Sequence, residues 1–141
     1  MEYRVAFIID ETFSAISGLD INNIFQIVIE KVTDELEKLD IQVSATVQSI
    51  ILKFFKNSQN SMIYVCDDKD NKGIKRFNVF NRWYEKSGFV NEIKKKDNII
   101  HCFSDDQNIN IYSSLLYHHH NKNKETILEV YDTIQEILNE K

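Results

Sequence analysis

Proline is absent from this 141-residue chain, and glycine occurs three times, at Gly18, Gly73 and Gly88. A chain so short of both residues has no place for a flexible linker of the usual kind, so one compact domain over residues 1–141 is expected. The same scarcity excludes a glycine-rich phosphate loop. No segment approaches the roughly 20 apolar residues that cross a bilayer, and no membrane partner is expected. The first ten residues, MEYRVAFIID, lack the basic flank and apolar length of a secretory signal, which makes the cytoplasm the expected location. The two cysteines, Cys66 and Cys102, each lie in an apolar run, where buried thiols are the expectation and a disulfide framework is not. There is no CxxC, no helical HxxxH pair and no nucleophile elbow, and the absence of internal repeats sets solenoids aside.

Charge is plentiful but uneven. The net charge is −5, yet Lys69 to Lys96 holds nine basic residues against three acids, leaving an acidic remainder. A basic middle on an acidic body hints at an anionic partner, although such patches are more often plain solvated surface.

Hydrophobic spacing lays out the elements. Tyr3 to Ile9 reads as a strand and Thr12 to Asn23 as a loop with room for a short extra strand. Ile24 to Val32 is rich in β-branched residues and reads as a strand, while Ile21, Ile24, Phe25, Val28 and Val32 also fit a helical face, so helix stays open there. From Ile41 to Asn57, apolar residues recur at helical spacing (Val43, Val47, Ile50, Ile51, Phe54). Phe89 to Asp97 reads as a charged connection. Asn98 to Ser104 and Asn108 to about Tyr117 read as hairpin strands around Asp105, Asp106 and Gln107, and a helix from about Lys124 to Asn139 follows.

The stretch from Ser61 to Gly88 organises the rest. Met62 to Cys66 is an apolar run bounded by polar residues, as expected of a central strand covered on both faces. A helix from about Lys72 to Lys86 then collects Phe77, Phe80, Trp83 and Tyr84 on one stripe and Lys75, Asn78, Arg82 and Lys86 on the opposite one. Together with Lys94, Lys95 and Lys96, the second stripe is a candidate basic binding surface. Arg76 falls on the apolar side, so it is expected to be largely buried and ion-paired with Asp67. Gly88 stands where a left-handed C-cap belongs.

Asp67, Asp68 and Asp70 follow a buried strand, a placement used by metal-dependent hydrolases and nucleases to hold a cation. An EF-hand reading fails, because from Asp68 the fifth and twelfth positions are Lys72 and Val79. Turn formation, helix capping and a pair with Arg76 explain the acids without a metal. His118, His119 and His120, with His101, Cys66 and Cys102, contain zinc-type ligands in number but not in spacing, and no metal or other cofactor is expected.

The segment Thr46 to Tyr84, with Phe54-Phe55, Met62 to Val65, Cys66-Asp67, Asp70, Arg76, Phe80 and Trp83, resembles a family of small bacterial domains of unknown function. The resemblance implies a bacterial source and a shared α+β fold, and brings no activity with it. The residues themselves lead to an α+β domain, with a mixed, mostly antiparallel sheet of about five strands packed with three helices. The leading functional expectation is a non-enzymatic binding or accessory domain whose partner is a protein or an anionic polymer, with nucleic acid bound weakly and non-specifically. The alternative is a metal-dependent hydrolase or nuclease using Asp67, Asp68 and Asp70. Nothing in the sequence sets an oligomeric state.

Overall fold

The computed structural model of the chain describes residues 3–18, 21, 23–31, 41–67, 71–104 and 106–139. These form five strands and four helices: β1 (Tyr3–Ile9), α1 (Thr12–Ser17), β2 (Ile24–Lys31), α2 (Ile41–Phe54), β3 (Ser61–Asp67), α3 (Gly73–Lys86), β4 (Ile93–Ser104), β5 (Gln107–His118) and α4 (Lys124–Asn139). The strands make one sheet in the order β1-β2-β3-β5-β4. Only β2 and β3 pair in parallel, joined through α2 in the way parallel neighbours require. All other neighbours are antiparallel, so the sheet is mixed and mostly antiparallel.

Both faces are covered. On one, α2, the Phe55 that follows it and α3 lay Val47, Ile51, Phe55, Phe77 and Phe80 over Ile27, Met62, Tyr64, Tyr112 and Leu116. On the other, α1 and α4 lay Phe13, Ile127, Val130 and Tyr131 over Ile24, Ile63 and Leu115. Alternation along β3 explains the division, since Met62, Tyr64 and Cys66 enter the first core while Ile63 enters the second. The strand is therefore central, and Val65, 39% exposed, is its one apolar residue outside the two cores.

Four expectations are corrected. Residues 12–17 form a helix, not a loop: the Asp10 carboxylate accepts the Thr12 N–H at 2.8 Å, and Gly18 closes the turn at φ 68° by donating to the Ser14 carbonyl at 3.0 Å. The left-handed glycine cap thus occurs at Gly18 and not at Gly88. Helix α3 ends instead at Ser87 in extended backbone, where both its N–H and its hydroxyl donate to the Tyr84 carbonyl. The Lys94 to Lys96 run is not a connection but the start of β4, a 12-residue strand in register with β5. Arg76 is exposed rather than buried. Its position on α3 does face the sheet, but pairing of β2 with β3 stops at Ile27–Tyr64, and beyond that point the strands splay around a cleft of about 370 Å³. Arg76 lines this cleft with Gln26, Val28, Tyr64, Val65 and Cys66.

The ambiguous segment resolves as strand. It runs from Ile24 to Lys31, Val32 lying outside the described residues, and its β-branched side chains fit a pleated surface with helices on both sides.

Candidate functional site

Helix α3 carries the densest exposed positive charge among the described residues. Asn71, at φ 60°, turns the chain after the β3 end, and the helix proper starts at Gly73. No acid stands in its first turn, and Lys86 sits in the last, where a cation complements the helix dipole. Phe77 and Phe80 fix its inner face, Phe80 stacking on Tyr64 at 4.0 Å between ring centroids and Phe77 meeting Tyr112 at 5.5 Å. Burial pushes the Tyr64 hydroxyl well above its ordinary range, with the Cys66 thiol beside it adding to the effect, so this ring is a neutral packing element.

With the inner face anchored, the outer face is set. Lys75, Asn78, Arg82 and Lys86 are all exposed, as the helical projection predicts, and so are Lys72 and Arg76. At 1.5 Å per residue, Lys75 to Lys86 spans about 16 Å. Glu85 is the only acidic residue in α3.

The lysines of β4 do not join this surface as a group, because a strand sends successive side chains to opposite faces. Lys95 points under α3, where its ammonium lies 5.6 Å from the Phe77 ring centroid and 5.7 Å from that of Tyr84. It pairs there with Asp97 and is only 9% exposed. Asp97 in turn accepts the Ser114 hydroxyl at 2.7 Å. Lys96 faces α4 and bridges Asp132 at 2.6 Å. Lys94, of the same parity, is exposed. The seven predicted basic-surface residues therefore divide into four on the outer stripe of α3 and three distributed over the two faces of β4.

The acidic turn is described only in part. Asp68 and Asp70 lie outside the described residues; the backbone of Asp67 closes β3, but its side chain, and with it the expected pair with Arg76, also lies outside them.

The histidines form a local cluster. His119 and His120 rings lie 3.8 Å apart, and His118 stacks on both at 4.9 and 5.4 Å. The His120 N–H donates to His118 Nδ1 at 3.0 Å, and His119 Nδ1 meets the Glu92 carbonyl at 2.9 Å. Desolvation holds the His118 imidazole below its ordinary pKa, with smaller contributions of the same sign from His119 and His120. His101 is remote from them. The β4–β5 register sets His118 opposite Ile93 and His101 opposite Asn110, roughly 26 Å apart along the hairpin. Among the described residues, no group of three His, Cys, Asp or Glu side chains is arranged to hold a metal ion.

Two polar features had little sequence signal. Asn121, 2% exposed, donates to the Gln59 carbonyl and the Ser61 hydroxyl, each at 3.3 Å, and so ties the β5–α4 turn to the start of β3. Ser113 and Ser114 interrupt the apolar run of β5, and each meets one polar partner, the buried Tyr131 from α4 and the more exposed Asp97 from β4. That adjacent serine pair was the visible clue.

No helix among the described residues is long and apolar enough to cross a membrane. A family model described as "Family of unknown function (DUF6169)" matches residues 39–133, about two thirds of the chain, and the protein belongs to that family. No curated protein and no solved structure matches it.

Proposed function

We propose that this member of a family of unknown function is a single compact binding or accessory domain, non-enzymatic, that docks an anionic polymer on the outer face of α3. One observation carries the reading. Lys75, Arg82 and Lys86 are all exposed on a helix with a single acid, while the chain as a whole is at −5. Such a face attracts phosphates or carboxylates through charge alone, and the buried Phe77 and Phe80 keep it rigid. Binding through phosphate charge is weak and indifferent to sequence.

The test is binding of a labelled DNA or RNA homopolymer across a salt series. If about three cations engage phosphates of a duplex, the logarithm of the binding constant falls with the logarithm of salt at a slope of about −2.7, or roughly 40-fold between 50 and 200 mM. Reversal of charge at Lys75 and Arg82 together removes most of that slope. Absence of binding at low salt, or binding that salt leaves unchanged, refutes the reading.

A further inference from the structure

We propose that the His118–Asn121 turn is an acid-released latch, which holds the start of α4 against the start of β3 while His118 is neutral and lets it go when that ring takes a second proton. Backbone partners fix the tautomers of two of the three clustered rings. A backbone N–H can only donate, so the His120 N–H, 3.0 Å from His118 Nδ1, requires that nitrogen to be bare and puts the ring's proton on Nε2. A backbone carbonyl can only accept, so the Glu92 oxygen, 2.9 Å from His119 Nδ1, puts the proton of that ring on Nδ1.

The two rings therefore answer acid in opposite ways. His119 binds a second proton at Nε2 and keeps its bond to Glu92, which a positive ring strengthens. His118 has only Nδ1 to accept one, and protonation there sets a ring N–H against the His120 N–H and breaks the bond. The new cation also faces the His119 and His120 rings at 4.9 and 5.4 Å, so charge on either of them opposes charge on His118. Glu92, from the connection before β4, favours the charged ring, but by less than either histidine disfavours it. The other elements add no acid here: α3 brings Tyr84, whose hydroxyl donates to the Ile93 carbonyl at 2.6 Å, and α4 brings Lys124, whose ammonium donates to the His119 carbonyl at 3.2 Å. In β4, Lys94 follows the Ile93 that pairs with His118 and points to the opposite face, and the α2–β3 connection presents the neutral Gln59.

The turn carries the junction between β3 and α4. The His118 carbonyl accepts the Asn121 N–H at 2.9 Å, and the buried Asn121 amide donates to the Gln59 carbonyl and the Ser61 hydroxyl at the start of β3. The Asn121 and Asn123 carbonyls accept the Lys124 and Ile127 N–H groups that open α4, and Gln59 Oε1 accepts the Lys122 N–H at 3.1 Å. Loss of the bond at His118 Nδ1 frees His120 and loosens this set together. Ile127, Val130 and Tyr131 stay in the second core, so the body of α4 remains seated and the opening is local.

Nuclear magnetic resonance of the 15N-labelled full chain, from about pH 8 to about pH 5, tests the proposal. Imidazole nitrogen shifts at the alkaline end are expected to show His118 protonated at Nε2 and His119 at Nδ1. As His118 titrates, with a midpoint below pH 6.5, the His120 and Asn121 amides lose about tenfold or more of their protection, each referred to intrinsic exchange at the same pH. His118→Asn replaces Nδ1 by an oxygen that accepts the N–H two residues on, as Asp10 does for Thr12, and keeps the protection at both ends of the range. His118→Leu has no acceptor and lacks the protection at both ends, while His119→Gln removes one opposing ring and moves the midpoint up. The same tautomer in both rings overturns the proposal, as does protection that stays constant while His118 titrates, or a His118→Asn chain that opens with acid as the parent does.

Discussion

Lys94 and Lys95 are adjacent and chemically identical, and their replacement by alanine should differ several-fold in cost. Lys95 has its ammonium within cation–π range of two rings, each contact worth about 0.5 kcal/mol. Its partner Asp97 keeps the Ser114 hydrogen bond and is 39% exposed, so loss of the ion pair is screened and costs about 1 kcal/mol, well below the roughly 3–5 of a fully buried pair. Removing three largely buried methylenes costs about 2 kcal/mol, and recovered side-chain entropy offsets about 1.5. Lys95→Ala is thus expected to lose about 2.5 kcal/mol. Lys94→Ala, exposed, should lose about 0.5 kcal/mol or less. Lys96→Ala should lose about 0.5 kcal/mol, because the bridge to Asp132 is more than a third exposed on both sides. Urea denaturation at neutral pH reads all three as shifts in midpoint at constant slope. Lys95→Met separates the contributions: it keeps the stem, loses the charge and should fall between the parent and Lys95→Ala. Equal losses for Lys94→Ala and Lys95→Ala would refute the assignment of Lys95 to the underside of α3, and with it the division of the lysine run.

Phe80→Ala removes a ring that is 1% exposed and stacked on Tyr64, and should cost about 3–5 kcal/mol by chemical denaturation, against about 0.5 or less for Arg82→Ala. Arg76→Ala belongs with the surface changes at about 1 kcal/mol or less, a larger loss indicating a buried role that its exposure argues against. Tyr131→Phe deletes a hydroxyl that donates to buried Ser113 at 2.8 Å and should lower stability by about 1–2 kcal/mol in the same assay. His118 is held below its ordinary pKa of 6.5 in the folded chain, so between that value and the lowered one the unfolded chain binds more protons. Its contribution is therefore full above about pH 7 and is lost as pH falls through that window; melting temperatures at pH 7.5 and 5.5 should differ less in His118→Gln than in the parent.

Periodicity made the inner face of α3 legible, because Phe77, Phe80, Trp83 and Tyr84 repeat with the helical turn and the core under them is continuous. The same projection misplaced Arg76, since phase says which way a residue faces and not whether anything lies opposite. The splaying of β2 from β3 is a tertiary fact with no trace in local pattern. Helix α1 escaped because six residues are too few for a repeat to show, though Asp10 and Gly18 bracket it with the usual signals of a start and a stop. Lys94 to Lys96 read as a connection because three consecutive charges satisfy no strand pattern. Burying the middle one requires an acid two residues on and two aromatic rings above, and only the assembled sheet supplies all three.

The family match narrows where a shared role can reside. It runs from just before α2 to within α4, and so includes the crossover helices, the central strand and the β4–β5 hairpin, but not β1, α1 or β2. The outer stripe of α3 falls inside it and depends only on elements inside it, because α3 is seated on Tyr64 and Tyr112. The cleft beside Arg76 needs Gln26 to Ile29 from β2 as one wall. The cleft is thus built partly from residues outside the matched segment, and the α3 stripe wholly from residues within it.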